Sequence, residues 1–185
     1  MPKIEVTGLS DALAVFDELA DEIGDKKATS KILIPAAREA MKPVLASARM
    51  FAPKDTGDLA RTLWIEARRP NTRDKKSKYI SPHDTVIAVV STKPFPKKKR
   101  QQFYEANKAL WDSDKKAYRK KFKEYAYSIN FPYDARAIAQ EFGTARNPAH
   151  PFMRRALESE YPQVAKSLGE IIGKRIETFK AKNIK

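Results

Sequence analysis

Residues 141–152 read EFGTARNPAHPF. This short stretch holds an acid, two phenylalanines, a lone glycine, an arginine, two prolines and one of the two histidines of the chain. Two readings compete. In the first, Glu141 and His150 form an acid–base or metal pair. In the second, Gly143 turns the chain, Thr144 caps, Pro148 and Pro151 stiffen the link, and Phe152 anchors the helix that follows. A hydrolytic site needs a nucleophile, a base and an orienting acid. The sequence has no G-x-S-x-G, no H-E-x-x-H and no glycine-rich phosphate loop to supply one. The turn reading explains each residue without chemistry. It predicts a structural turn that sets the last helix, and no enzyme, catalytic residue, cofactor or metal is expected.

Downstream of the turn, Val164, Leu168, Ile171, Ile172, Ile176 and Phe179 keep helical spacing, which predicts a long C-terminal helix. Pro162 divides it from an earlier turn over Phe152–Tyr161, and the last residues, KAKNIK, are expected to fray. Just upstream, NFPYDARAIAQEFGT is expected as a strand or short helix ending at Gly143.

The N-terminal part opens with an extended Ile4–Val6. A helix follows, with Leu9, Leu13, Phe16, Leu19 and Ile23 on one stripe, Ser10 or Thr7 as its cap and Gly24 as its end. A second helix is expected over about Ser30–Phe51, with its stripe on Ile34, Ala37, Met41, Val44, Leu45, Ala48 and Phe51. Pro35 suits its first turn and Pro43 kinks it. Pro53 and Gly57 then mark a loop in which Asp55 or Thr56 bonds nearby amides. Asp55 and Asp58 as metal ligands are the alternative there, but the loop lacks the ligand count of a calcium site.

Two strands follow. Leu63 and Ile65 alternate with Thr62, Trp64 and Glu66, and the nearly continuous apolar run Thr85–Thr92 predicts a strand covered on both faces. The whole order is α+β: a small antiparallel sheet packed with an N-terminal helix pair and a long C-terminal helix. The 185 residues are expected to form one domain.

Residues 93–125 differ in character and read as an insertion between strands. They carry twelve basic side chains against four acidic ones, which is eight of the chain's net charge of +14. Phe103, Trp111, Tyr118, Phe122, Tyr125 and Ile129 lie on a rough helical stripe with lysines opposite, as one helix or two, with Asp112 or Ser113 capping the second. Lys97, Lys98, Lys99, Arg100, Lys115, Lys116, Arg119, Lys120 and Lys121 are the candidate contacts for nucleic acid or an acidic partner. A solvated lysine face whose aromatics simply pack is the competing reading.

Other classes are set aside on composition. No apolar run approaches the roughly 20 residues of a membrane span. The opening MPKIEVTGLSDAL lacks the basic and apolar regions of a signal peptide, and the absence of cysteine leaves no disulfide framework. Cytosolic synthesis is the expectation.

Three motifs in order carry a resemblance. They are GLSDALAVFDEL, with Gly8 and Leu9; APKDTGDLARTL, with Ala52, Pro53, Thr56, Gly57 and Leu59; and EFGTARNPAHPFMRRAL, with Glu141, Phe142, Gly143, Thr144, Pro148, Pro151, Phe152 and Ala156. The chain resembles a family of small tailed-phage proteins described as tail-component, tail-completion or head–tail joining (neck) proteins. The match covers most of the chain outside residues 93–125, where family members have a shorter link. The resemblance implies a non-enzymatic virion part, assembled in the host cytoplasm. It implies a homo-oligomeric ring, a hexamer, meeting a tail terminator or tail tube protein on one side and a head connector or portal-side adaptor on the other. The genome would pass through this ring. A soluble basic DNA-binding protein is the alternative.

Overall fold

In the computed structural model, residues 8–54, 58–129 and 134–183 are described. The expected extended Ile4–Val6, the cap at Thr7 and the turn residues Asp55, Thr56 and Gly57 lie outside them. The architecture is α+β, as the sequence predicts. Helices dominate, and β1 (Leu63–Arg68) and β2 (Ile87–Thr92) pair into a two-stranded antiparallel sheet.

Helix α1 spans Leu9–Ile23, as its apolar stripe predicts. Of its expected caps, Ser10 is corrected: it lies inside the helix, and Gly8, at φ 85°, takes the cap position with no side-chain cap among the described residues. Gly24, at φ 87°, ends it by returning its N–H to Ala20 O at 2.8 Å.

The expected second helix is a run of shorter pieces. Helix α2 (Asp25–Ala28) passes through a π-helical turn at Thr29–Leu33 into α3 (Ile34–Ala40), and α4 (Lys42–Phe51) follows a break at Met41. The buried face explains the π turn. Ala28, Ile32, Ala36 and Ala40 are all buried at four-residue steps. An ordinary helix, at 3.6 residues per turn, rotates such a row off its face, and a wider turn holds it in line. Past the break next to Pro43, burial moves to Met41, Val44 and Ala48. Pro35 takes the first turn of α3 as expected.

Strand β1 alternates as predicted, with Leu63, Ile65 and Ala67 buried. Thr62 belongs instead to a short helix α5 (Asp58–Thr62), where its hydroxyl donates to Leu59 O at 2.8 Å. Strand β2 corrects the expectation of two covered faces. No residue in it is fully buried and Val89 is exposed.

The basic segment folds as three helices, α6 (Lys97–Ala106), α7 (Lys108–Ser113) and α8 (Lys115–Ser128). No strand follows it among the described residues: of the stretch expected as a strand or short helix, residues 134–142 take the helical option as α9 (Asp134–Phe142), and residues 130–133 lie outside the described ones. Helix α10 runs unbroken over Met153–Asn183 with Pro162 inside it, so the expected division at Pro162 does not occur; of the residues expected to fray, 180–183 are helical and 184–185 lie outside the described residues. Ala156, before Pro162, is buried, as are Ile172 and Ile176 after it. Burial on both sides of the proline offsets the hydrogen bond it cannot make. No helix among the described residues is long and apolar enough to cross a membrane.

The chain divides into two compact units. The first comprises Met1–Ser47, Ile65–Ser91 and Ala156–Lys185. Its core packs Phe16, Leu19 and Ala20 of α1 with Ala28, Ile32 and Ala36 and with Ile172 and Ile176 of α10. A Cβ on Gly169 would stand 3.0 Å from Leu9 N, so the bare glycine lets α10 approach the start of α1. The second unit comprises Ala48–Trp64 and Thr92–Arg155, and it holds both the basic helices and the turn at 141–152.

Candidate functional site

The turn builds upward from Gly143. Its φ of 75° belongs to the left-handed region, and a Cβ there would meet Ala149 N at 2.9 Å and Asn147 O at 3.1 Å. The loop then closes on itself. Thr144 N donates to Asn147 O at 2.9 Å, and Thr144 Oγ1 accepts from Asn147 N at 3.1 Å and Arg146 N at 3.3 Å. His150 N donates to Gln140 O at 2.7 Å, holding the ends of the loop together. Thr144 therefore caps the turn, as its residue type predicts.

Glu141 is the group whose role the sequence reading misses. Its side chain is buried, and Oε2 accepts the backbone N–H groups of Phe152 and Met153, each at 2.9 Å. Oε1 accepts that of Arg154 at 3.1 Å, and the Arg154 side chain stands 3.7 Å away. The first amides of a helix have no intrahelical partner and carry the positive end of its dipole. Glu141 supplies a carboxylate to three amides at the start of α10, a cap delivered from eleven or more residues upstream. Capping patterns reach back three residues, so no local signal announces it. Phe152 is 2% exposed, and burying such a ring stabilises by about 1.5–3 kcal/mol. Phe142 is exposed instead, with the Arg154 guanidinium 5.5 Å above its ring. His150 and Pro151 lie at the surface.

In the other motif turn, Ala52 and Leu59 are buried and Pro53 is half-buried. Arg155 lies over the Phe51 ring at 4.5 Å, and Arg49 Nη2 donates to Leu63 O at 2.9 Å.

The nine candidate cations all lie on α6 and α8. Lys97, Lys98, Lys99, Arg100, Lys115, Lys116, Arg119, Lys120 and Lys121 are exposed, and none makes an ion pair among the described residues. Helix α6 has four cations in its first turn after Pro96 and no side-chain cap, an unfavourable pairing with the helix dipole. Helix α8 begins with Lys115 and Lys116, but Asp114 caps it, accepting Lys116 N at 2.8 Å and Ala117 N at 3.0 Å. The cap is thus Asp114, not Asp112 or Ser113. The earlier two lie inside α7, and only Asp114 takes the extended backbone of an N-cap.

Behind the cations the aromatics form their own core. Phe103 stacks on Tyr125 at 4.9 Å and meets Tyr118 and Phe122 edge-on at 5.4 and 5.2 Å. Phe95 packs on Phe122 at 4.9 Å. Trp111 meets Tyr118 at 5.0 Å and Tyr104 at 6.2 Å, both edge-to-face. Burial pushes the Tyr118 phenol up, nearby Tyr104 adds to the rise, and Arg100 opposes it.

The turn and the cations are separate features: no hydrogen bond or ion pair among the described residues joins any of the nine to residues 141–152. No family model matches the chain, and neither a curated protein nor a solved structure matches it.

Proposed function

We propose that this chain is a non-enzymatic structural protein of a long-tailed phage virion. It forms a homo-oligomeric ring, a hexamer, at the neck, which completes the tail and joins it to the head connector while the genome passes through. The observation that carries this reading is the engagement of Glu141. The most chemistry-like stretch of the sequence directs its one buried carboxylate onto three backbone amides, where it builds the start of α10. That is the use a scaffold makes of the motif on which the resemblance rests.

A ring subunit needs two unlike faces for its neighbours and axial faces for the structures above and below. The exposed cations of α6 and α8 supply a face for an acidic axial partner or for the genome. The same cations favour the second reading, a soluble DNA-binding protein whose affinity is mostly phosphate neutralisation.

Ring assembly separates the two. Light scattering and negative-stain images of the purified protein, with a search for it in purified particles, make the test. A closed ring, or recovery from particles, is expected. A monomer that is missing from particles and binds duplex DNA with a steep salt dependence overturns the virion reading in favour of the second.

A further inference from the structure

The three basic helices line an open cavity of about 370 Å³ formed by Arg100, Gln101, Tyr104, Trp111, Tyr118 and Phe122. Four of its six walls are aromatic. Tyr104, Trp111 and Phe122 are only partly buried, so rings remain accessible from the opening. Two cations stand against those rings. The Arg100 guanidinium lies 5.9 Å from the Phe122 centroid, and Lys115 Nζ lies 5.6 Å from that of Trp111. Beyond them are the exposed cations that lack ion-pair partners among the described residues, including the uncapped first turn of α6.

A ligand matching this arrangement is planar and aromatic where it enters and anionic around the point of entry. An acidic peptide satisfies the charge but offers no regular planar group, and duplex DNA satisfies the charge but keeps its bases stacked inside. A single strand satisfies both, because every unpaired base offers a π face next to a phosphate. We infer that this cavity takes an unpaired base of single-stranded nucleic acid, stacked on Trp111 beside the near-perpendicular Tyr104 ring, while lysines of α6 and α8 hold the flanking phosphates. The inference goes beyond the virion reading and does not depend on it, since a soluble nucleic-acid-binding protein would use the cavity in the same way.

The test uses the full chain and short labelled oligomers, single-stranded DNA and RNA of one sequence and the matching DNA duplex, read by fluorescence anisotropy. Single strands should bind more tightly than the duplex, and the better of DNA and RNA identifies the source. Trp111→Ala should weaken single-strand binding about tenfold, the loss of one stacked base, and leave duplex binding within about twofold. Trp111→Phe, which keeps a stacking face, should retain most of the affinity. A second readout needs no change in the cavity. Trp64 and Trp111 are the only tryptophans, and the buried Trp64 Nε1 has no hydrogen-bond partner among the described residues, so Trp64→Phe isolates the Trp111 signal without removing a bond seen there. Single strands should quench that signal. Equal binding of single strand and duplex, no binding of either, or binding without quenching overturns the assignment. If Trp111→Ala does not fold, the quenching and Trp111→Phe results decide.

Discussion

The carboxylate of Glu141 accepts the backbone N–H of Met153 at 2.9 Å, so a buried side chain at the end of α9 closes the start of α10. The neighbouring amides of Phe152 and Arg154 share the same carboxylate. Hydrogen bonds to an ionised acceptor are about twice as strong as neutral ones, and amides left buried without a partner are costly. The relationship makes the turn a joint between two helices.

Glu141→Ala removes the acceptor from three amides at once. It should destabilise the protein by about 2–3 kcal/mol, the cost of a lost charged cap with a buried amide left behind. Glu141→Gln keeps an oxygen acceptor and should cost about half as much. Urea denaturation of the three proteins measures the difference, and a change under about 0.5 kcal/mol for the alanine variant would remove the capping argument.

Two glycines in α10 should respond to alanine with opposite sign. A Cβ added at Gly173 would meet nothing within 4 Å, so Gly173→Ala should stabilise by about 0.5–1 kcal/mol through helix propensity. At Gly169 the new Cβ would press against Leu9 N at 3.0 Å and Gly8 O at 3.1 Å. Gly169→Ala should lose that gain and destabilise. Thermal melts of the pair settle the order. Equal stabilisation by both substitutions would mean that α1 does not approach α10 closely.

Acid should release a clamp in the connection between the strands. Arg68 binds Glu66 at 2.6 Å and grips Asp74 with both terminal nitrogens, and Asn71 N donates to Asp74 Oδ2 at 2.7 Å. The Arg68 hydrogen bond first, and then that of Asn71, holds the Asp74 carboxyl below its ordinary range. The folded value lies below the unfolded one, so the stabilisation is complete above about pH 4 and fades as pH falls through the folded value. The stability gap between wild type and Asp74→Asn should therefore be constant near neutral pH and shrink in acid. Paired urea melts from neutral to strongly acidic pH test this, and a gap that widens in acid would reverse the assignment.

Local patterns are legible where packing is local. The stripe from Leu9 to Ile23 with Gly24 behind it marks α1, and the alternation at Leu63 and Ile65 marks β1. The turn at Gly143 and the cap at Thr144 follow from residue type alone. Features set by distant partners are not legible. Pro162 breaks helices locally, yet burial of Ala156 and Ile172 carries α10 through it. The π turn at Thr29–Leu33 answers to a buried row that no periodic template contains. Glu141 resembles a chemical group in the sequence because its amide partners stand across a loop. The cavity behind Trp111 needs three helices to form, whereas the stripe predicts one or two.

Charge reversal in the first turn of α6 should separate folding from function. Lys97, Lys98, Lys99 and Arg100 are exposed, make no ion pairs among the described residues and oppose the helix dipole. Replacing all four by Glu puts anions at the positive end of the helix, where each stabilises by about 0.3–1 kcal/mol, so the fold should survive or gain slightly. The Arg100 contact with the Phe122 ring is lost. The binding consequence runs the other way, because an acidic partner or a phosphate backbone would now meet like charge. In the virion reading the variant should fold and fail to join heads to tails, so particle yield collapses while circular dichroism and melting hold. In the DNA-binding reading the salt slope should fall by up to about four, one for each phosphate contact removed. Normal particle yield together with an unchanged salt slope would leave these four cations as a solvated surface, and both readings would lose the face on which they depend.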